Sequence, residues 1–192
     1  MGDRKQQILN EALGILVSKG YASLSMRAVA RASRLTLGAL QYHYSTRVEL
    51  VQALAMWIAE VTEASFEAYR QKHTDPRDLH AMVDFMLEDH VGDALKVDLL
   101  GPQLWAMALV EPAIQDVLDD LYDDYLQVIE QGLRQLGVST PRADAIVIMS
   151  MMEGLGLFVG DGRRWQKDAS AAVAAIHGLL ESRYGKSSGA IE

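Results

Sequence analysis

Ser25-Met26-Arg27-Ala28-Val29-Ala30-Arg31-Ala32-Ser33-Arg34-Leu35-Thr36-Leu37-Gly38-Ala39-Leu40-Gln41-Tyr42-His43-Tyr44 reads as two short helices joined by a tight turn. Ser25 and Thr36 stand where a helix needs an N-cap, a side-chain oxygen that accepts from a first-turn N–H. Val29, Ala30, Leu35, Leu40 and Tyr44 fall at the inward positions of such a pair, so the spacing predicts helices over about 26–32 and 37–43. A pair of this kind is a helix-turn-helix, and its second helix is built to enter the major groove of DNA.

Helical signals continue on both sides. Asp3 and Gln6 form a capping box, Leu9, Ala12, Leu13 and Leu16 make one stripe, and Gly20 is a left-handed stop. Thr46 and Glu49 form a second capping box, opening a long helix to about Lys72 with Val51, Ala55, Ile58, Thr62, Phe66 and Tyr69 inward. Asp75-Pro76-Arg77-Asp78 reads as cap, first-turn proline and first-turn acid; the stripe it opens is Leu79, Met82, Val83, Met86, Leu87 and His90. A bent helix over about 94–110 carries Pro102. Pro112 opens the longest run, which ends at Gly137. The last two helices, about 141–159 and 168–183, are separated by Gly160-Asp161-Gly162, and a disordered tail is expected over 185–192. The fold class is all-α.

The chain has 192 residues, 49% of them hydrophobic, and no cysteine, which suits a sizeable core and excludes disulfides and thiolate chemistry. The longest apolar run, Ile146 to Val159, is interrupted by Glu153 and is shorter than the roughly 20 residues of a membrane span. With a polar N-terminus, the expectation is a cytoplasmic protein with no membrane partner. The net charge of −8 is unevenly spread: residues 1–47 carry seven basic residues against Asp3 and Glu11, whereas 48–192 carry 11 against 24. A basic module on an acidic body fits phosphate binding at one end only.

Gly20 to Ala30, Leu35 to Leu40 and Tyr42 to Leu50 together resemble the DNA-binding domain of the TetR/AcrR family of bacterial transcriptional regulators, over about residues 4–54. The resemblance implies a helix-turn-helix domain over 1–47 and an effector-binding, dimerising helical domain over 48–184. It also implies a double-stranded operator, a homodimer, a small-molecule effector and no cofactor. Three residues depart from the family pattern. Arg34 stands in place of a turn glycine, a cost of about 1 kcal/mol if its backbone is left-handed. Gln41 replaces a common Tyr and has the amide geometry that reads adenine, and Arg47 replaces the commoner Lys.

The expected DNA contacts follow. Leu37 and Ala39 project from the first turn of the recognition helix toward thymine methyls. Gly38 lets the backbone approach the groove, and Thr36 both caps and donates to phosphate. Arg27, Arg34, Tyr42, His43 and Arg47 flank the helix and suit backbone contacts. The two closing helices carry small residues, Ala145, Ser150, Gly154, Gly156, Ala171, Ala172, Ala174, Ala175 and Gly178, with Val173, Ile176, Leu179 and Leu180 as apolar fill for a four-helix bundle with a second copy.

Effector candidates are the adaptable or aromatic side chains Met82, Phe85, Met86, Trp105, Tyr125, Met149 and Met152. Trp57, Val61 and Phe66 join them on the long helix, and His90 and Glu153 are polar residues on apolar faces that need partners. His80, Asp84 and Glu88 share a helical face and read as solvated, with no metal; Asp116, Asp119, Asp120, Asp123 and Asp124 likewise. Three functions remain open: a ligand-responsive repressor, a DNA-binding regulator controlled by a protein partner, and an all-α enzyme. No P-loop, Gly-x-Ser-x-Gly or Glu-x-x-His pattern supports the last.

Overall fold

Glycine aside, one residue among those described has a left-handed backbone, Arg34 at φ 55°, and it lies in the turn between the two short helices. A computed structural model describes residues 3–87, 97–160 and 162–185, and its regular structure is helical throughout. The helices are α1 (Asp3–Lys19), α2 (Met26–Ala32), α3 (Leu37–His43), α4 (Arg47–Lys72), α5 (Leu79–Leu87), α6 (Val97–Ala108), α7 (Pro112–Gln135), α8 (Pro141–Val159) and α9 (Ala169–Tyr184). Short 3-10 turns precede α2 and α9. His90, the expected helical start near 94 and the tail beyond 185 lie outside the described residues.

Two compact units result, Met1–Glu63 with Leu100–Asp119, and Ala64–Leu99 with Asp120–Glu192. In the first, α1 buries Ile8, Leu9, Ala12, Leu13, Ile15 and Leu16, and α2 packs on both α1 and α3. The first half of α4 adds Leu50, Val51, Leu54, Ala55 and Ile58. Leu50 and Leu54 were not on the expected stripe, whereas Thr62 is only half-buried. The row at 50, 54 and 58 carries the larger side chains, and burying each leucine contributes roughly 1.5–3 kcal/mol, so the helix turns that row inward.

The second unit has one core, with Phe66, Met82, Val83, Phe85, Tyr125, Ile129, Leu133, Ile148, Met149, Met152, Ile176 and Leu180 among its buried members. Ile176 and Leu180 of α9 are therefore buried within the chain itself, while Leu179 is exposed and Val173 half-buried. The expected start of α5 is displaced. Asp75 accepts from the Arg77 N–H at 2.9 Å and from its guanidinium, which forms a turn; Asp78 then caps α5 by accepting from the Ala81 N–H at 3.1 Å. A side chain that bonds two residues on in this way favours a turn over a helix.

Candidate nucleic-acid interface and effector-facing core

The helix-turn-helix is built by local chemistry. Ser25 Oγ accepts from the Ala28 N–H at 3.3 Å and Thr36 Oγ1 from the Ala39 N–H at 3.2 Å, so both expected caps are made. The Leu35 N–H donates to the Ala30 carbonyl at 2.8 Å across Arg34; this six-to-one closure requires a left-handed residue, and Arg34 adopts it. After α3, Thr46 caps the Glu49 N–H at 3.1 Å, but the Glu49 carboxylate reaches Ser45, accepting from its N–H at 2.8 Å and its hydroxyl at 2.6 Å. These bonds, the Ser45 hydroxyl first, hold the Glu49 carboxyl below its ordinary range.

Around this frame α3 has two unlike sides. Leu40 and the following Tyr44 are buried, whereas Gly38, Gln41 and Tyr42 are exposed, Tyr42 at 87%. Tyr42 meets the His43 ring edge-on, with centroids 5.5 Å apart. Arg27, Arg34 and Thr36 are exposed; Leu37, Ala39 and His43 are half-buried. A Cβ added to Gly38 would meet nothing within 4 Å, so no packing within the protein requires glycine there.

Arg47 differs from the free phosphate ligand expected of it. Its Nε donates to the Leu24 carbonyl at 2.8 Å, its Nη1 to Glu111 at 3.2 Å, and its guanidinium lies 4.5 Å from the Tyr21 ring centroid. Tyr21, Gln103 and Glu111 escaped the sequence reading because 82 and 90 residues separate Tyr21 from its two partners.

The effector candidates fall into separate sets. Phe66, Phe85 and Tyr125 form an aromatic cluster, with Phe66–Tyr125 centroids 4.5 Å apart and edge-on, and Phe66–Phe85 at 5.8 Å. Met82, Met149 and Met152 are buried in the same core and Met86 packs against it. Burial, and then the Glu153 and Asp124 charges, raise the Tyr125 hydroxyl pKa. Glu153 has its partner, accepting from the Tyr122 hydroxyl at 2.8 Å. Trp57, Val61 and Trp105 belong to the other unit, with Trp105 38% exposed.

A half-open cleft of about 290 Å³ lies in the second unit, lined by Tyr69, His73, Pro76, Leu79, Met82 and Ile129 among others. Met82 is the one effector candidate on its walls. His80 and Asp84 both turn to α9: His80 and His177 meet through their Nδ1 atoms at 2.7 Å, and His177 Nε2 lies 2.8 Å from Asp84. Glu88 is outside the described residues, and no trio of metal-ligating side chains occurs among them. The five aspartates of α7 are exposed, and no described helix is long and apolar enough to cross a membrane.

A capped helix pair with a Schellman closure between its members and one exposed face on the second helix, followed along the chain by further helices, defines a DNA-binding transcriptional regulator of the helix-turn-helix class. Residues 8–54 match the model for bacterial regulatory proteins of the tetR family, so the chain carries a DNA-binding domain of that type. The chain is 27% identical over 188 residues to the transcriptional regulator CymR of Pseudomonas putida, covering 94% of this chain and 90% of that one. The nicotine-responsive transcriptional repressor HdnoR of Paenarthrobacter nicotinovorans is 26% identical, with 81% and 82% covered. In fold, the chain is similar to a transcriptional regulator of Saccharomonospora viridis solved with choline, at TM-score 0.75 and 18% identity over 93% of this chain and 96% of that one.

Proposed function

We propose that this regulator is a homodimeric repressor, released from a pseudo-palindromic operator by a small, largely apolar effector. The observation that carries the reading is the two-sided α3, whose outward residues Gly38, Gln41 and Tyr42 are exposed while Leu40 is fully buried. Residues 1–47 are the DNA-binding domain and 48–184 the effector-binding and dimerising one. Arg27, Arg34, Thr36, Tyr42 and His43 contact phosphates, Leu37 and Ala39 touch thymine methyls, and Gln41 reads a base. Arg47 has Nη2 left to offer a phosphate. No catalytic step is assigned, and the protein works in the cytoplasm.

The dimer reading is supported by Ile146, Val147, Leu157, Phe158 and Leu179, large apolar side chains exposed on α8 and α9. The effector reading is supported by the methionine and aromatic composition of the second core, by a relative named as nicotine-responsive, and by a neighbour in fold solved in complex with choline. α4 runs unbroken from Arg47 to Lys72, about 39 Å. Effector contact with its later half is the lever that alters the spacing of the two recognition helices. A hundredfold release requires about 2.7 kcal/mol of coupling.

Selection of bound duplexes from a random pool, with and without a small-molecule library, tests the reading. The expected site has two half-sites about 34–36 Å apart, and by reciprocity the operator weakens a found effector by the factor with which the effector weakens the operator. A selected site without two-fold symmetry, or a monomer by sedimentation at micromolar concentration, counts against the dimer. An effector that binds equally with and without operator counts against the lever.

A further inference from the structure

The segment that enters the helix-turn-helix and the segment that leaves it are fastened to each other and to one carboxylate. Tyr21 and Leu24 lie just before α2; Arg47 begins α4, just after α3. Arg47 joins the two, donating from Nε to the Leu24 carbonyl at 2.8 Å and resting its guanidinium on the Tyr21 ring. Glu111 lies between α6 and α7, and its Oε1 accepts from the Tyr21 hydroxyl at 2.7 Å and from Arg47 Nη1 at 3.2 Å. Gln103 of α6 accepts the Tyr21 N–H at 3.0 Å, so Tyr21 is held by backbone and side chain alike.

Glu111 is itself rigidly mounted. Its N–H donates to the Met107 carbonyl at 2.9 Å, closing α6, and its carbonyl accepts the Ile114 N–H at 2.9 Å, opening α7. The pair with Arg47 is only partly solvated, with side chains 22% and 36% exposed, and a charge-assisted bond in such surroundings is stronger than a neutral one. α2 and α3 are seven residues each, too short to be stable helices alone. Buried Val29, Ala30 and Leu40 and the packing of α2 on α1 hold them in place, and the grip on their two ends adds to what sets their orientation.

We propose that Glu111 is a positioning residue for DNA binding, setting the orientation of α2 and α3 on the α6–α7 corner by holding Tyr21 on one side of the helix pair and Arg47 on the other. The role does not require Glu111 to touch DNA. It rests on the reading of α3 as the helix that meets DNA.

The test measures binding of E111A, E111Q, Y21F and Y42A to a selected operator and to random duplex, well below the unfolding temperature, across a range of salt. E111A is expected to weaken operator binding about tenfold, with random-duplex binding little changed and the salt slope unaltered, since no phosphate contact is removed. Y21F alone should cost several-fold, and adding it to E111A should cost nothing more, because the two side chains act through one bond. A purely structural Glu111 would lower the unfolding temperature and leave the folded protein's preference for operator over random duplex intact. If E111A does not fold, E111Q, which keeps an acceptor for Tyr21 and loses the charge facing Arg47, is expected to show a smaller loss at the same slope. Wild-type operator affinity in folded E111A, with Y42A impaired, overturns the role of Glu111. So does tighter binding with a steeper slope, which would make Glu111 a competitor for Arg47. Wild-type binding by Y42A instead overturns the reading of α3.

Discussion

The Cβ that Gly132 lacks would lie 1.9 Å from the carbonyl oxygen of Pro76. Gly132 is on α7 and Pro76 is in the turn before α5, so a bare helix surface is what lets that turn sit against α7. The obstacle is backbone, which cannot swing aside as a side chain would. Gly132→Ala is therefore expected to destabilise by about 3 kcal/mol in urea denaturation. Gly14→Ala on α1, where an added Cβ meets nothing within 4 Å, should stabilise by about 0.5–1 kcal/mol through helix propensity. Equal effects at the two positions would contradict the close approach.

Gly38→Ala separates packing from function. No protein atom lies within 4 Å of the added Cβ, so the thermal midpoint should hold or rise slightly. Operator affinity should nevertheless fall, because the methyl group enters the space reserved for the groove. A variant that binds as tightly as wild type would remove Gly38 from the interface.

Arg34→Gly is expected to move stability and binding in opposite directions. Relieving a left-handed arginine at φ 55° should stabilise by about 1 kcal/mol. Losing its charge should weaken all duplexes alike and flatten the salt slope by about 0.9. Titrations at several salt concentrations check this, and an unchanged slope would mean that Arg34 meets no phosphate.

Asp75 provides a test in acid. The Arg77 guanidinium, and then the Arg77 N–H, hold its carboxyl down at about 2. A depressed carboxylate contributes its stabilisation fully above the unfolded value, about 3.9, and loses it as pH falls through the folded one. Carboxyl carbon NMR should place the Asp75 midpoint near 2 in the wild type and return it upward in Arg77→Ala. A midpoint in the ordinary range for both proteins would show that the turn is not held by this pair in solution.

Much of the molecule was legible in the chain because its determinants are local. Caps at Ser25 and Thr36, the stop at Gly20, the opening proline of α7 and the stripe of α1 act within a few residues, and each lies where its spacing predicts. The two-sidedness of α3 follows from the same periodicity, so the candidate DNA face could be read before any contact was known. One local signal pointed to the wrong residue: Asp75 reads as a cap and Asp78 as a first-turn acid, but Asp75 bonds to Arg77 in a turn and the helix start falls to Asp78.

The sequence by itself determined the helices, their order and the basic module, since hydrogen bonds between near neighbours and a 3.6-residue repeat decide these. Only the tertiary structure decided what Arg47 holds, which of Ile176, Leu179 and Leu180 remains exposed, and that Glu153 is met by Tyr122. Those outcomes depend on residues brought together from distant parts of the chain, as Glu111 is to Tyr21 across 90 positions. A guanidinium, a leucine or a carboxylate looks the same in sequence whether its partner is water, DNA or another helix, and the difference arises only when packing sets which of them it meets.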